Sequence, residues 1–309
     1  MKEMRLALWS DVERLKGIWK LCFGDSDSFI DFYFTQRFQP EQVAVYLVDH
    51  VITAMLTMIP VQWLEAHEGQ KSIQGSMLYA IGTHPDFQHR GIATELMDWA
   101  LAYLGKRQME LCVLVPAEAE LFNFYERRGY QAGFALREAV LNRNEIEVMC
   151  ASSGINRENR SGFAVSAAAP QAYNSIRNQL LRGATYLAYR EEEVAYQKKI
   201  SRLSGADLYK LNVGEVQGCA AVERLTGDKV LVKEYLVPEE FFCHGLKALA
   251  HTLQAQEFII RTPAHGGQVM GGQVRSFGMF KRISSRELGP VHHQNEIFEE
   301  RAYLGLAFD

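Results

Sequence analysis

The chain has 309 residues, 48% hydrophobic and 23% charged, with a formal net charge of −4. That is room for about two domains of ordinary size, and a mildly acidic balance gives no reason to expect nucleic acid or an anionic membrane as partner. The charged start MKEMRLALWSDVERLK lacks a signal-length apolar run, no stretch reaches about 18 uncharged apolar residues, and Cys22, Cys112, Cys150, Cys219 and Cys243 form no CxxC pair, so a reduced cytoplasmic protein without a structural metal is expected.

Ser10 and Glu13 form a capping-box pattern that opens a helix through Phe23, with Gly24 to end it. A second helix is predicted from Asp27 to about Arg37, with Phe29, Ile30, Tyr33 and Phe34 on one side. Val43 to Met58 then reads as strands turning at Asp49 and His50, and Pro60 to Gly69 as a continuation and loop.

The most informative stretch is Gly75 to Ala93, GSMLYAIGTHPDFQHRGIA. It reads as a strand stopping at Pro85, a short turn, and a helix from Gly91 on which Ile92, Ala93, Leu96, Met97, Ala100, Leu101 and Leu104 make an apolar face. A helix start carries unpaired N–H groups and the positive end of the dipole, which suits a phosphate or pyrophosphate. Gly91 and Ala93 let an anion approach, and Gln88, His89 and Arg90 would add donors at the rim. The same spacing also suits an ordinary strand, turn and helix whose small residues ease packing. Neither GxGxxG nor GxxxxGK[ST] occurs, which argues against a dinucleotide fold and a P-loop.

After this helix Leu111 to Val115 reads as a buried strand, and AEAELFNFYERRGY as a helix closing at Gly129. Ser152 to Gly162 is polar and reads as a linker. The order of elements then restarts, with helices over Pro170 to Leu181 and Glu191 to Leu203, and strands over Asp207 to Val213, Gly218 to Arg224 and Lys229 to Val237. A helix from Glu239 to Leu253, a strand at Phe258 to Arg261 and the aromatic run FGMFKRI follow. His265 to Val274 repeats Gly-Gly-Gln-Val and reads as a flexible loop, and the adjacent His292 and His293 point to different sides, which disfavours a shared metal.

IGTHPDFQHRGIA resembles motif A of the GNAT (Gcn5-related) N-acetyltransferases, with Gln88, Gly91 and Ala93 at its three turn positions and Ile81, Thr83 and Pro85 matching its strand. The resemblance implies acetyl-CoA as co-substrate. Its pyrophosphate would be gripped at Gln88, His89, Arg90, Gly91, Ile92, Ala93 and Thr94, and its pantetheine arm would lie along the backbone of Ile81 and Thr83. YERRGY is similar to motif B, which implies that Tyr125, four residues before Gly129, donates a proton to the departing thiolate. Where many members carry an Asn seven residues earlier, this chain has Glu118. The base is unassigned among Glu65, His67 and His84, and Asp25, Asp27 and Asp31 border the implied acceptor groove.

The implied fold is α+β: two tandem GNAT-like domains, each a mostly antiparallel central sheet flanked by helices. The expected division is a catalytic domain at 1–150, a linker at 151–162 and a degenerate second copy at 163–309. In that copy EEFFCHGLKAL lacks the glycine turn, and Glu239 and Glu240 would repel a pyrophosphate. Tandem copies with an active first half resemble the Eis-like acetyltransferases, whose sterol-carrier-like third domain would not fit before Asp309. The expected partner is a small-molecule or peptide amine, with self-association left open. The alternatives are a non-catalytic acyl-CoA-binding protein and an aminoacyl transferase on the same tandem scaffold, the latter wanting a basic surface.

Overall fold

The computed structural model describes residues 1–66, 72–152, 164–213, 216–283 and 302–308. In chain order the elements are β1 (Lys2–Leu6), α1 (Val12–Phe23), α2 (Asp27–Gln36), β2 (Val43–Val48), β3 (Val51–Leu64), β4 (Ser72–Thr83), α3 (Ile92–Lys106), β5 (Leu111–Leu114) and α4 (Glu120–Glu126). They continue as β6 (Gln131–Asn142), α5 (Arg143–Ser152), β7 (Ala164–Ala167), α6 (Pro170–Leu180), β8 (Tyr186–Ala188), α7 (Glu191–Leu203) and β9 (Leu208–Val213). The last are β10 (Val216–Arg224), β11 (Lys229–Leu236), α8 (Phe242–Leu253), β12 (Glu257–Pro263) and β13 (Gln273–Arg282). The mixed α/β architecture with mostly antiparallel strands is the one expected from the sequence. Among the described residues no helix is long and apolar enough to cross a membrane.

The described residues divide into two units, 1–62, 73–131 and 279–283 in the first, and 63–66, 72, 132–152, 164–213, 216–278 and 302–308 in the second. In the first, β1, β2 and β3 pair antiparallel, β4 lies beside β3, and β4 pairs parallel with β5. Parallel neighbours need a crossover, and α3 supplies it. Its apolar face, Leu96, Met97, Ala100 and Leu104, joins Leu56, Met58, Leu78, Cys112 and Leu114 of the strands in one buried cluster. Leu15, Ile18 and Trp19 of α1 and Ile30, Tyr33 and Phe34 of α2 are buried too, with the Trp19 and Tyr33 rings 4.3 Å apart.

Two sequence expectations change here. Ser10 does not cap α1: a 3₁₀ turn at Trp9–Asp11 precedes the helix, and the Asp11 carboxylate accepts the Leu8 N–H at 2.7 Å. The first unit is also not contiguous, because Met279–Arg282 of β13 pair antiparallel with Leu111–Leu114 of β5. A cut at residue 150 would therefore strip β5 of an edge partner, a long-range pairing that local periodicity does not carry. Of the expected linker at 151–162, residues 153–162 lie outside the described residues, as do His67, His292 and His293.

The second unit repeats the plan. Strands run in the order β6, β12, β11, β10, β9, β7; among these described strands β11 and β12 pair parallel, with α8 as their crossover, and the other pairs are antiparallel. Its core gathers Leu246, Leu249, Ala250 and Leu253 of α8 with Val222, Val230, Val232, Phe258 and Ile260. The Gly-Gly-Gln loop is held rather than loose: the Arg137 guanidinium donates to the carbonyls of Ala264, Gly266 and Gly271 at 3.0–3.2 Å.

Ala302 to Phe308 is wholly buried in this unit. A fully buried ion pair secures it. Arg177 donates from Nε to both oxygens of Glu234 at 3.0 Å, and through its other nitrogens to the carbonyls of Leu187 and Leu304. The Tyr173 hydroxyl donates to Glu234 at 2.5 Å. Removing one member of such a pair strands the other charge, so Glu234→Gln is expected to destabilise this unit by about 3–5 kcal/mol. Denaturant unfolding with an unchanged slope reads this directly, and a loss below about 1 kcal/mol would show the pair to be dispensable.

Candidate active site at the start of α3

β4 and β5 stay paired only from Gly75 and Leu111 to Leu78 and Leu114. β5 stops there, whereas β4 continues to Thr83. At Ala80 φ is +50°, uncommon for a residue with a side chain and characteristic of a bulge that re-aims a strand. Beyond it the backbone of Ile81 and Thr83 has no partner on β5. The Thr83 carbonyl accepts the Gln88 side-chain amide at 3.0 Å and the Cys22 thiol at 3.2 Å.

The chain then makes a 3₁₀ turn at Pro85–Phe87, is extended at Gln88, and passes left-handed at His89 (φ +60°) and Gly91 (φ +78°) into α3. Gly91 is the N-cap and a Cβ there would meet nothing within 4 Å, so its requirement for glycine is one of backbone conformation alone. Among the described residues, the amides of His89, Arg90, Gly91, Ile92, Ala93 and Thr94 donate to no acceptor. They face the positive end of a 15-residue helix. Of the three side chains read as rim donors, two are instead turned back to build the loop. Gln88 ties to Thr83 as above, and Arg90 donates to the Asp86 carbonyl at 2.8 Å while lying 5.2 Å from the Phe87 ring centroid. A turn with two left-handed residues relies on such side-chain ties, and all three side chains are exposed.

Thr94, in the first turn of α3, is held from α4. Arg128 donates to Thr94 Oγ1 from Nε at 3.0 Å and from Nη2 at 2.6 Å, and from Nη1 to the Phe124 carbonyl at 2.7 Å. Its guanidinium stacks 3.4 Å from the Phe124 ring centroid. Lys281 of β13 donates to the Arg128 carbonyl at 2.7 Å, the cation that suits a helix end. Thr94, Glu120, Asn123, Phe124, Arg127 and Arg128 line a cavity of about 590 Å³. Sequence reading missed Arg128 and Lys281 as parts of the site, since each looks like ordinary surface charge until the fold brings them to α3 and α4.

Tyr125 is 8% exposed, packed edge-on against Phe124 at 5.1 Å and Tyr130 at 5.9 Å. Burial pushes its hydroxyl up to about 12, with the Arg128 charge pulling the other way. Behind it the Tyr130 hydroxyl and Cys112 Sγ lie 3.2 Å apart, both driven well up by burial.

The remaining candidates have other partners. His84 Nδ1 accepts the Asp86 N–H at 3.3 Å, and Asp25 accepts the Trp19 indole N–H at 2.7 Å. Asp27 pairs with Lys20 at 3.0 Å and Asp31 with Lys16 at 2.9 Å. Glu65 belongs to the second unit. Glu118 is exposed ahead of α4, its carbonyl accepting the Leu121 N–H at 3.1 Å. Among the described residues no three His, Cys, Asp or Glu side chains are grouped to hold a metal ion.

Residues 3–133 match the family model of the acetyltransferase (GNAT) domain, and the turn before α3, α3 itself and Tyr125 all lie within the matched stretch. No curated protein matches the sequence. Among solved structures, a GCN5-related N-acetyltransferase from Anabaena variabilis superposes with a TM-score of 0.72 at 13% identity, covering 92% of this chain and 73% of the other. Eis1 from Mycobacterium abscessus gives 0.66 at 13% identity, covering 91% and 74%. A tandem GNAT protein from the clavulanic acid biosynthesis pathway gives 0.55 at 13% identity, covering 94% and 100%. At these identities the likeness is one of fold, and over nine-tenths of the chain it is a tandem GNAT fold.

The Tyr125 hydroxyl ionises near 10 in an unfolded chain and near 12 in the fold. Folding favours its neutral form, so its contribution to stability is whole below pH 10 and is lost as pH rises toward 12. Tyr125→Phe is therefore expected to shift the alkaline unfolding midpoint upward in a near-ultraviolet dichroism titration. A midpoint that stays put or falls would contradict the burial of that hydroxyl.

Proposed function

We propose that this chain is an N-acetyltransferase that moves the acetyl group of acetyl-CoA to a primary amine by direct attack in a ternary complex. The observation that carries this reading is the run of amides from His89 to Thr94 without an acceptor, beside a strand edge that β5 has left open. The amides and the α3 dipole would bind the pyrophosphate, and Ile81 and Thr83 would hold the pantetheine arm as an added strand. His89, Ile92, Ala93 and Thr94 enter through backbone N–H groups, while Gln88 and Arg90 act by shaping the turn.

The chemistry then needs few groups. The acceptor amine attacks the thioester carbon, an N–C bond forms, and an ammonium proton leaves to water. A backbone N–H on β4 faces the oxyanion. As the C–S bond breaks, Tyr125 gives its proton to the sulfur, and the phenolate regains one from the water that took the amine's. CoA thiol and amide are the products.

The second unit is assigned no coenzyme. At its corresponding crossover α8 opens at Phe241 with no glycine, and Glu239 and Glu240 occupy the turn. A Cβ at Gly245 would come 2.5 Å from the Tyr235 hydroxyl, so no room is left behind it. We accordingly place the chain with the Eis-like tandem proteins, acting in the cytoplasm on a small-molecule or peptide amine.

Release of free CoA thiol over a panel of aminoglycosides, polyamines, amino acids and peptides tests the reading. Gly91→Glu is expected to abolish coenzyme binding. Tyr125→Phe should lower kcat about 100-fold while leaving coenzyme affinity in place. Undiminished turnover in both variants would sink the assignment, and tight CoA binding with no turnover on any amine would favour a non-catalytic acyl-CoA-binding protein.

A further inference from the structure

Tyr125 is carried by a helix too short to hold it. α4 has seven residues, and an isolated helix below about 12 is marginal in water even in a favourable sequence, so its geometry comes from what ties its ends. We infer that Lys281 is a positioning residue for the acetyl transfer: reaching α4 from β13, it fixes the turn that closes on Tyr125 and so keeps the phenol in place to meet the thioester sulfur, an assignment that rests on the acetyl-transfer reading above.

The turn after α4 folds back on Tyr125 itself. The Tyr125 carbonyl accepts the Arg128 N–H at 2.9 Å and the Tyr130 N–H at 3.2 Å, with Gly129 left-handed at φ +81° between them. The Arg128 carbonyl accepts Lys281 Nζ at 2.7 Å, a cation at a helix end where the dipole favours one. The lysine stem lies against Gly129, where a Cβ would come 3.5 Å from Lys281 Cε, and the ammonium sits 5.8 Å from the Tyr130 ring centroid. Tyr130 is fixed at its far end as well, 2% exposed with its hydroxyl 3.2 Å from Cys112 Sγ. Cys112 is the register partner of Lys281 across β5 and β13, so both ties to Tyr130 come from one place in the sheet. The Tyr130 ring lies 5.9 Å from that of Tyr125. One side chain therefore governs both the turn below Tyr125 and the ring beside it.

The Arg128 guanidinium is secured separately, on Thr94 and the Phe124 carbonyl. Loss of the Lys281 tie thus reaches Tyr125 and leaves the amides at the start of α3 where they are. Turnover and coenzyme affinity are thereby separated, and a misplacement of about 1 Å is enough to cost up to about 100-fold in rate.

A double-mutant cycle tests this, with release of free CoA thiol on the best amine of the panel as the rate and calorimetric CoA titration as the affinity. Lys281→Met is expected to lower kcat about tenfold while the coenzyme Kd stays within about twofold. In the Tyr125→Phe background the same change should cost less than about twofold, because a lysine that acts by placing the phenol has nothing left to place. The thermal midpoint of each chain in the cycle is measured alongside, and Lys281→Gln carries the cycle where Lys281→Met does not fold. An equal loss in both backgrounds, undiminished turnover, or a loss of CoA affinity at unchanged kcat each overturns the positioning role. Failure of the reading beneath it looks different. Full turnover in Tyr125→Phe alone removes the proton donor, no turnover by the unaltered chain on any amine removes the transferase assignment, and either takes the role of Lys281 with it.

Discussion

Everything proposed for this chain depends on one constraint: β4 and β5 are parallel, so a helix must cross between them and must begin where β4 ends. A helix begun there cannot satisfy its first amides internally. The fold leaves them open instead of capping them. Gly91 supplies the left-handed entry with no side chain to accept from those amides, while Gln88 and Arg90 spend their side chains on Thr83 and Asp86 below the turn. Because pairing with β5 ends at Leu78, the same corner also exposes a strand edge. Donors for an anion and a ladder for an extended arm thus arise together from one topological feature.

The second unit shows that the topology alone is not sufficient. β11, α8 and β12 reproduce β4, α3 and β5, yet there the helix start is lined by phenylalanines, its neighbourhood is acidic, and the Tyr235 hydroxyl donates to the Phe242 carbonyl at 2.8 Å from within the core. Glu239 is engaged too, accepting the Gly267 N–H at 3.1 Å. The turn into α3 is left-handed at His89 and Gly91, a conformation that the turn into α8 lacks. Without those residues the same corner serves packing, here through Leu246 and Leu249.

The helices and the α3 corner were legible in the sequence because their signals are local. Apolar periodicity marks α3, Gly24 closes α1 in the left-handed conformation, and Pro85 marks where β4 stops and the 3₁₀ turn begins. What the sequence hid is long-range. β13 lends Met279–Arg282 to β5, α5 follows β6 with no linker between them, and Ala302–Phe308 is buried over Arg177 and Glu234. Each is an exchange between residues far apart in the chain, with no period to betray it. The direction of side chains was hidden as well. Gln88 and Arg90 sit where donors at the rim were expected and point instead to the backbone, because a loop with positive φ at two residues needs those bonds more than a rim needs charge.

The burial of Tyr125 constrains how its proton can move. At about 12 its phenolate is a stronger base than a free thiolate, whose acid lies near 8.5. A separate transfer from the phenol to a departed thiolate would run uphill by about three to four units, or roughly 5 kcal/mol. In the proposed reaction that uphill step would have to be offset by the second transfer, from the amine to the phenolate. The phenolate left behind is basic enough to take up the proton released by the amine, so the two transfers drive each other. A tyrosine held in a rigid cage, with Phe124 and Tyr130 edge-on and Lys281 pinning the end of its helix, is suited to that timing because it keeps its hydroxyl in one place throughout.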